Sequence, residues 1–144
     1  MRGLLRSFGY ALRGIFGAVR NERNFRIHTV AAVTVAVFAW VFGVTAAEAA
    51  RLALTVCAVM CAELVNTAVE AAVDLACREK CDAARLAKDT AAGAVLIMAV
   101  GAVLCAVFTF SDWNGWVRVF EFVRAYALWI AVYAGVCVGY IFGL

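Results

Sequence analysis

Proline is absent from the 144 residues, and charged side chains make up only 16% of them. An ordinary soluble domain is close to half apolar. This chain is 67% hydrophobic with a mean hydropathy of +0.93, which places it outside that class and makes a bilayer its natural solvent. No glycine-rich phosphate loop, Ser-His-Asp arrangement or internal repeat is visible. Six cysteines are present without a CxxC pair. Two of them flank CREKC at a spacing of four, which argues against a zinc or redox site. The others fall mostly in apolar runs, where a thiol behaves as a small hydrophobe. A cleavable secretory signal is excluded because arginines recur through the first 26 residues. With a net charge of only +3, no nucleic-acid partner is expected.

What is there in quantity is uncharged sequence. Residues 28–47, 51–77 and 91–110 each offer about the 20 residues that a membrane helix requires. YALWIAVYAGVCVGYIFGL, 126–144, is a fourth candidate, with Trp113, Trp116, Tyr126, Trp129 and Tyr133 suited to an interfacial belt where it enters. Residues 1–26 differ: Leu5, Phe8, Leu12, Ile15, Phe16 and Val19 recur at helical spacing with arginines mostly opposite. That pattern predicts an amphipathic helix lying on the membrane surface. The expected fold is therefore an all-α integral membrane protein, with a surface helix, three core spans and a fourth C-terminal one. Ten of the 13 Lys and Arg residues precede the first span or lie between the second and third, which predicts that the N-terminus and the 77–90 loop face the cytoplasm.

One stretch does not fit a plain membrane helix. VMCAELVNTAVEAAVDLAC, 59–77, carries Glu63, Asn66, Glu70 and Asp74 on a wedge of roughly 80° at about 100° per residue. A carboxylate in hydrocarbon costs several kcal/mol unless it meets a cavity or a partner. Interhelical hydrogen bonding would account for Asn66 and one Glu. Three acids without a Lys or Arg between them need cations from elsewhere. Metal ions and the basic loop are the available sources. Carboxylates at a membrane boundary suit Mg²⁺, which shares its oxygen ligands with nucleotide phosphates. Lys88 and Asp89, at the start of the third span, add a phosphate-binding cation and a further acid. Together these are the parts of a phosphoryl-transfer site.

ExxNTAxExxVD followed by AKDxAAGAVLI resembles the signature of the prokaryotic diacylglycerol kinase family of small membrane lipid kinases. NERNFRIH, 21–28, resembles its Gram-positive undecaprenol kinase branch. The likeness runs from about Gly9 to Phe108. It implies a bacterial plasma-membrane homotrimer of three-span protomers, with ATP as phosphoryl donor, Mg²⁺ as cofactor and the active site on the cytoplasmic side. It implies Glu63 as catalytic base, with Asn66 orienting the base or a phosphate oxygen. It further implies Glu22 and Glu70 as metal ligands, and Tyr10, Glu79, Lys80, Lys88 and Asp89 as nucleotide contacts. Two departures stand out: REKCDAA lacks the family's usual residue after the loop glutamate, and the family's N-terminal arginine falls at Gly3, leaving Arg2 or Arg6 to substitute. The resemblance divides the chain into a lipid kinase domain, 1–110, and a C-terminal extension, 111–144. The acceptor expected is undecaprenol, giving undecaprenyl phosphate, with diacylglycerol as the alternative. A rival of another class is a four-span proton-coupled cation exporter. Such a carrier needs one embedded carboxylate and has no use for a Lys-Asp pair or a Glu-Asn-Glu ladder. His28, at the start of the first span, is expected to anchor it at the interface.

Overall fold

The computed structural model describes residues 2–77 and 81–143. They form five helices: α1 (Arg2–Asn21), α2 (Arg23–Phe42), α3 (Ala46–Ala76), α4 (Asp82–Thr109) and α5 (Trp113–Phe142). α2 to α5 are each long and apolar enough to cross a membrane, so a fourth candidate span stands beside the three of the core. α3 packs most extensively on α4, and α2 packs on both α3 and α5.

The boundaries differ from those that the uncharged stretches mark. α4 begins at Asp82 rather than near 91, and α5 at Trp113 rather than 126. A helix needs only its backbone hydrogen bonds to continue, so Arg85, Lys88 and Asp89 extend α4 beyond its apolar part. Charge marks depth in the bilayer, not the end of a helix. Trp129 and Tyr133 consequently lie roughly 24 and 30 Å along α5 from Trp113, too far to share one interfacial belt with it.

Residues 1–26 also differ from expectation, being two elements rather than one. Glu22 has extended backbone angles (φ −102°, ψ 114°) and stands as the N-cap of α2. Ala18 and the fully buried Phe25 pack beneath this hinge. Leu5, Phe8, Leu12 and Phe16 stay exposed on α1.

The 20 residues of α2 span about 30 Å, the thickness of a bilayer's hydrocarbon core. α2 ends at Gly43, whose φ of 78° is left-handed, and its N–H donates to the Ala39 carbonyl. Two residues later Thr45 opens α3 with a capping box: its hydroxyl accepts from the Glu48 N–H, and its own N–H donates to the Glu48 carboxylate. α3 has 31 residues. Level with α2 at this turn, it outruns α2 by roughly ten residues, or about 15 Å, at the other end. The polar half of the 59–77 stretch rides on that overhang.

α5 is fastened along α2. Its N-cap, Asp112, accepts from the Gly115 N–H at 2.9 Å, and Trp116 Nε1 donates to the Phe110 carbonyl at 2.9 Å. Phe38, Phe42, Phe110 and Trp116 then meet edge to face, with Phe38 4.7 Å from Phe110 and Phe42 5.1 Å from it. Arg118 donates through Nε and Nη2 to the Phe42 carbonyl, one of the acceptors that the end of α2 leaves unpaired. Further along, Tyr133 and Thr34 share a hydrogen bond of 3.0 Å, and the Arg23 guanidinium lies 4.9 Å from the centre of the Phe142 ring.

Gly115 has no room for a side chain, because a Cβ there would overlap the Phe42 ring. Gly115→Ala should therefore cost about 1–3 kcal/mol, read as a lower apparent Tm in detergent. Gly135→Ala, where a Cβ meets nothing within 4 Å, should leave it unchanged. Equal Tm values for the two variants would contradict the packing described.

Candidate functional site

The overhang of α3, the start of α2 and the first turns of α4 converge on the acidic stripe. Glu63 and Asn66 are buried, at 3% and 7% exposure, although every neighbour in sequence is apolar or small. The Asn66 Nδ2 donates to Glu70 Oε1 at 2.8 Å. Its Oδ1 is buried with no hydrogen-bond partner. Leaving such an acceptor unpaired costs about 1–3 kcal/mol, so the atom calls for a partner, water or ligand, from outside the chain.

The first turns of α2 reach the same point. The Asn24 carboxamide comes within hydrogen-bonding reach of the Glu63 carboxyl, and Glu22, His28 and Glu70 lie close enough for their charges to act on it. Glu22 and Glu70, 48 positions apart in sequence, thus both lie in the neighbourhood of Glu63. His28 is half-buried and lines an open groove of about 280 Å³ with Val59, Met60, Ala102, Val103 and Ala106, between α2, α3 and α4. The imidazole thus stands between an apolar groove and the Glu63 carboxyl. Asn24 was not singled out from sequence. Its place two residues after Glu22, in the first turn of the span antiparallel to Glu63, is the signal that could have found it.

The side chains of Lys88 and Asp89 diverge. Successive residues on a helix diverge by about 100°, and the two side chains take different partners. Lys88 Nζ reaches across to Asp74 Oδ1 at 2.5 Å, joining α4 to the end of α3. Asp89 faces Arg85 at 3.6 Å on the outer side of α4, 68% exposed. Tyr10 stands exposed on α1 with the Arg13 guanidinium 4.7 Å from its ring centre. Glu79 and Lys80 lie outside the described residues.

Among the described residues no three His, Cys, Asp or Glu side chains form a ready-made metal cage. Glu22 and Glu70 are nevertheless hard oxygen donors, each near Glu63. That suits an ion which takes one or two carboxylates and completes its shell with phosphate and water, as Mg²⁺ does.

Comparison with known proteins assigns the chain to a family. The family profile described as "Prokaryotic diacylglycerol kinase" matches residues 9–110, ending just before α5. A protein of Synechocystis sp. named diacylglycerol kinase is 48% identical over 102 residues, 70% of this chain and 58% of that protein, so the chain spans under two thirds of this relative's length. The undecaprenol kinase of Bacillus subtilis is 39% identical over 95 residues, 66% of this chain and 77% of the relative. The diacylglycerol kinase of Escherichia coli K12 is 35% identical over 101 residues, 70% of this chain and 83% of the relative. With a profile match over most of its length and relatives at these identities, the chain belongs to the prokaryotic diacylglycerol kinase family.

Proposed function

We propose that the protein is an ATP- and Mg²⁺-dependent lipid kinase, phosphorylating the hydroxyl of a membrane lipid alcohol. The observation that carries this is the buried Glu63, set at the end of the bundle between an apolar groove and the Glu22–Glu70 carboxylates. Glu63 takes the proton of the lipid hydroxyl as its oxygen bonds to the γ-phosphorus. The bond to the bridging oxygen breaks, and ADP leaves. Asn24 and Asn66 orient Glu63 and the incoming phosphate, the latter through the unpaired Asn66 Oδ1. Lys88, released from Asp74, offsets phosphate charge. Glu22 and Glu70 would hold Mg²⁺, which would offset the charge of the nucleotide's phosphates.

The lipid acceptor is undecaprenol on this reading, supported by NERNFRIH and by the relative named undecaprenol kinase. Diacylglycerol is the second reading, favoured by the 48% identity to the Synechocystis protein named for it. α1 lies on the bilayer surface through Leu5, Phe8, Leu12 and Phe16. The N-terminus and the α3–α4 turn face the cytoplasm of a bacterial plasma membrane, where the arginines collect. Three copies assemble, covering apolar helix faces that one chain leaves open.

The test is a side-by-side assay in phospholipid vesicles with γ-labelled ATP and either lipid. Label should pass to the organic phase with both, faster with undecaprenol. Faster transfer to diacylglycerol selects the second reading. Transfer to neither, with cation-coupled proton flux instead, overturns the kinase and restores the exporter.

A further inference from the structure

Cys77 and Cys81 take no part in the chemistry above. Their spacing argued against a redox pair, but the fold overrides it. Cys77 is the C-cap of α3 and Cys81 the N-cap of α4, and their two sulfurs come to 2.8 Å. A disulfide measures about 2.03–2.05 Å, so an approach of roughly 0.8 Å separates contact from bond. Cys81 is exposed and is the N-cap of a 28-residue helix. The Cys77 thiol first, and the Ala84 N–H second, hold the Cys81 thiol below its ordinary range. A thiolate at a helix N-terminus with a second thiol beside it is the setting in which oxidation proceeds selectively. The cysteines at 57, 61, 105 and 137 lie instead within the apolar helices.

We propose that Cys77 and Cys81 form a reversible dithiol–disulfide site, oxidised by a peroxide, whose closure ties α3 to α4 and weakens the use of ATP. The Cys81 thiolate attacks one peroxide oxygen, the O–O bond breaks, and a sulfenic acid and hydroxide result. The Cys77 sulfur then attacks the sulfenyl sulfur, forming the S–S bond and expelling hydroxide. The two thiol protons leave in water, so two thiols and one hydrogen peroxide give one disulfide and two waters. Both thiols are oxidised and the peroxide is reduced. The bond joins the same two helix ends as the Lys88–Asp74 pair. A nucleotide that draws Lys88 away from Asp74 needs those ends to give, and the covalent tie resists it.

The effect on ATP rests on the kinase reading; the bond itself does not. Full-length protein in phospholipid vesicles is treated with hydrogen peroxide and then digested with trypsin, which cuts after Arg78 and Lys80, between the cysteines. The oxidised protein should yield joined peptides that dithiothreitol separates, and its KM for ATP should rise several-fold and return on reduction. Cys77→Ser and Cys81→Ser should keep the untreated KM, give no joined peptides and ignore the peroxide. Absence of joined peptides, stable sulfinic acid at Cys81, or joined peptides with an unchanged KM would each overturn the proposal. Untreated protein that phosphorylates no lipid counts against the kinase reading alone, and the peptides still decide the site.

Discussion

Glu63→Gln should lower kcat for lipid phosphorylation by about 10²–10⁴-fold, with the KM for ATP and the apparent Tm close to those of the unaltered protein. The amide keeps the volume of the carboxylate in a position only 3% exposed, so packing survives. It also keeps an oxygen to accept from Asn24. What it loses is the basic lone pair that removes the hydroxyl proton. The magnitude separates this role from a structural one. A carboxylate that served only as interhelical glue would be replaced by an amide at little cost, because both pair with the same donors. Activity within a few-fold of the parent would therefore remove Glu63 from the role of base.

The second large effect is expected from the metal carboxylates. Glu22→Gln and Glu70→Gln should each raise the concentration of Mg²⁺ needed for half-maximal rate, on the order of 10–100-fold, and excess Mg²⁺ should partly restore the rate. Glutamine is the informative replacement at position 70, since its side-chain oxygen still accepts from Asn66 Nδ2, the 2.8 Å bond seen in the structure. Only the charge is removed. The two residues belong to different elements, one at the α1–α2 hinge and one on α3, so matching Mg²⁺ profiles would not follow from local misfolding. An unchanged Mg²⁺ dependence in both variants would dismiss the shared metal site.

The membrane character, the four spans and the polar stripe were legible because they depend on composition and on a 3.6-residue repeat, both local properties. So was the family, through three blocks of sequence in order. The helix ends were less so. Asp82 to Thr90 reads as a polar loop when charge is taken as the signal, yet it is the first two turns of α4. The break at Glu22 was hidden in an unbroken amphipathic pattern, and only the burial of Phe25 and Ala18 beneath it shows why the chain turns there. In the site, Glu63, Asn66 and Glu70 announced themselves as polar residues in an apolar run. Asn24 did not, because its importance lies in a contact between helices. Lys88 was found for its charge, but its neighbour in sequence, Asp89, is not its neighbour in space; Asp74, fourteen residues away, is. Contacts across helices are set by rotation and depth, which a single sequence does not encode position by position.

α3 is longer than α2 by about 15 Å, and on the proposed kinase reading that difference sets the height at which phosphate is handled. Glu63 lies level with the start of α2, which that reading sets at the rim of the hydrocarbon layer, with Lys88 and Asp74 beyond it on the water side. A neutral lipid alcohol reaches the rim without leaving the bilayer. Withdrawing its chain into water would cost about 0.8 kcal/mol for every methylene exposed, and none of that is required. Once phosphorylated, the same molecule carries ionised oxygens that hydrocarbon excludes at a cost of many kcal/mol. It can neither sink back into the groove beside His28 nor cross to the opposite leaflet unaided. On the proposed kinase reading the protein would thus act as a ratchet on lipid position: a molecule free to wander through the membrane's depth enters, and one confined to a single face departs.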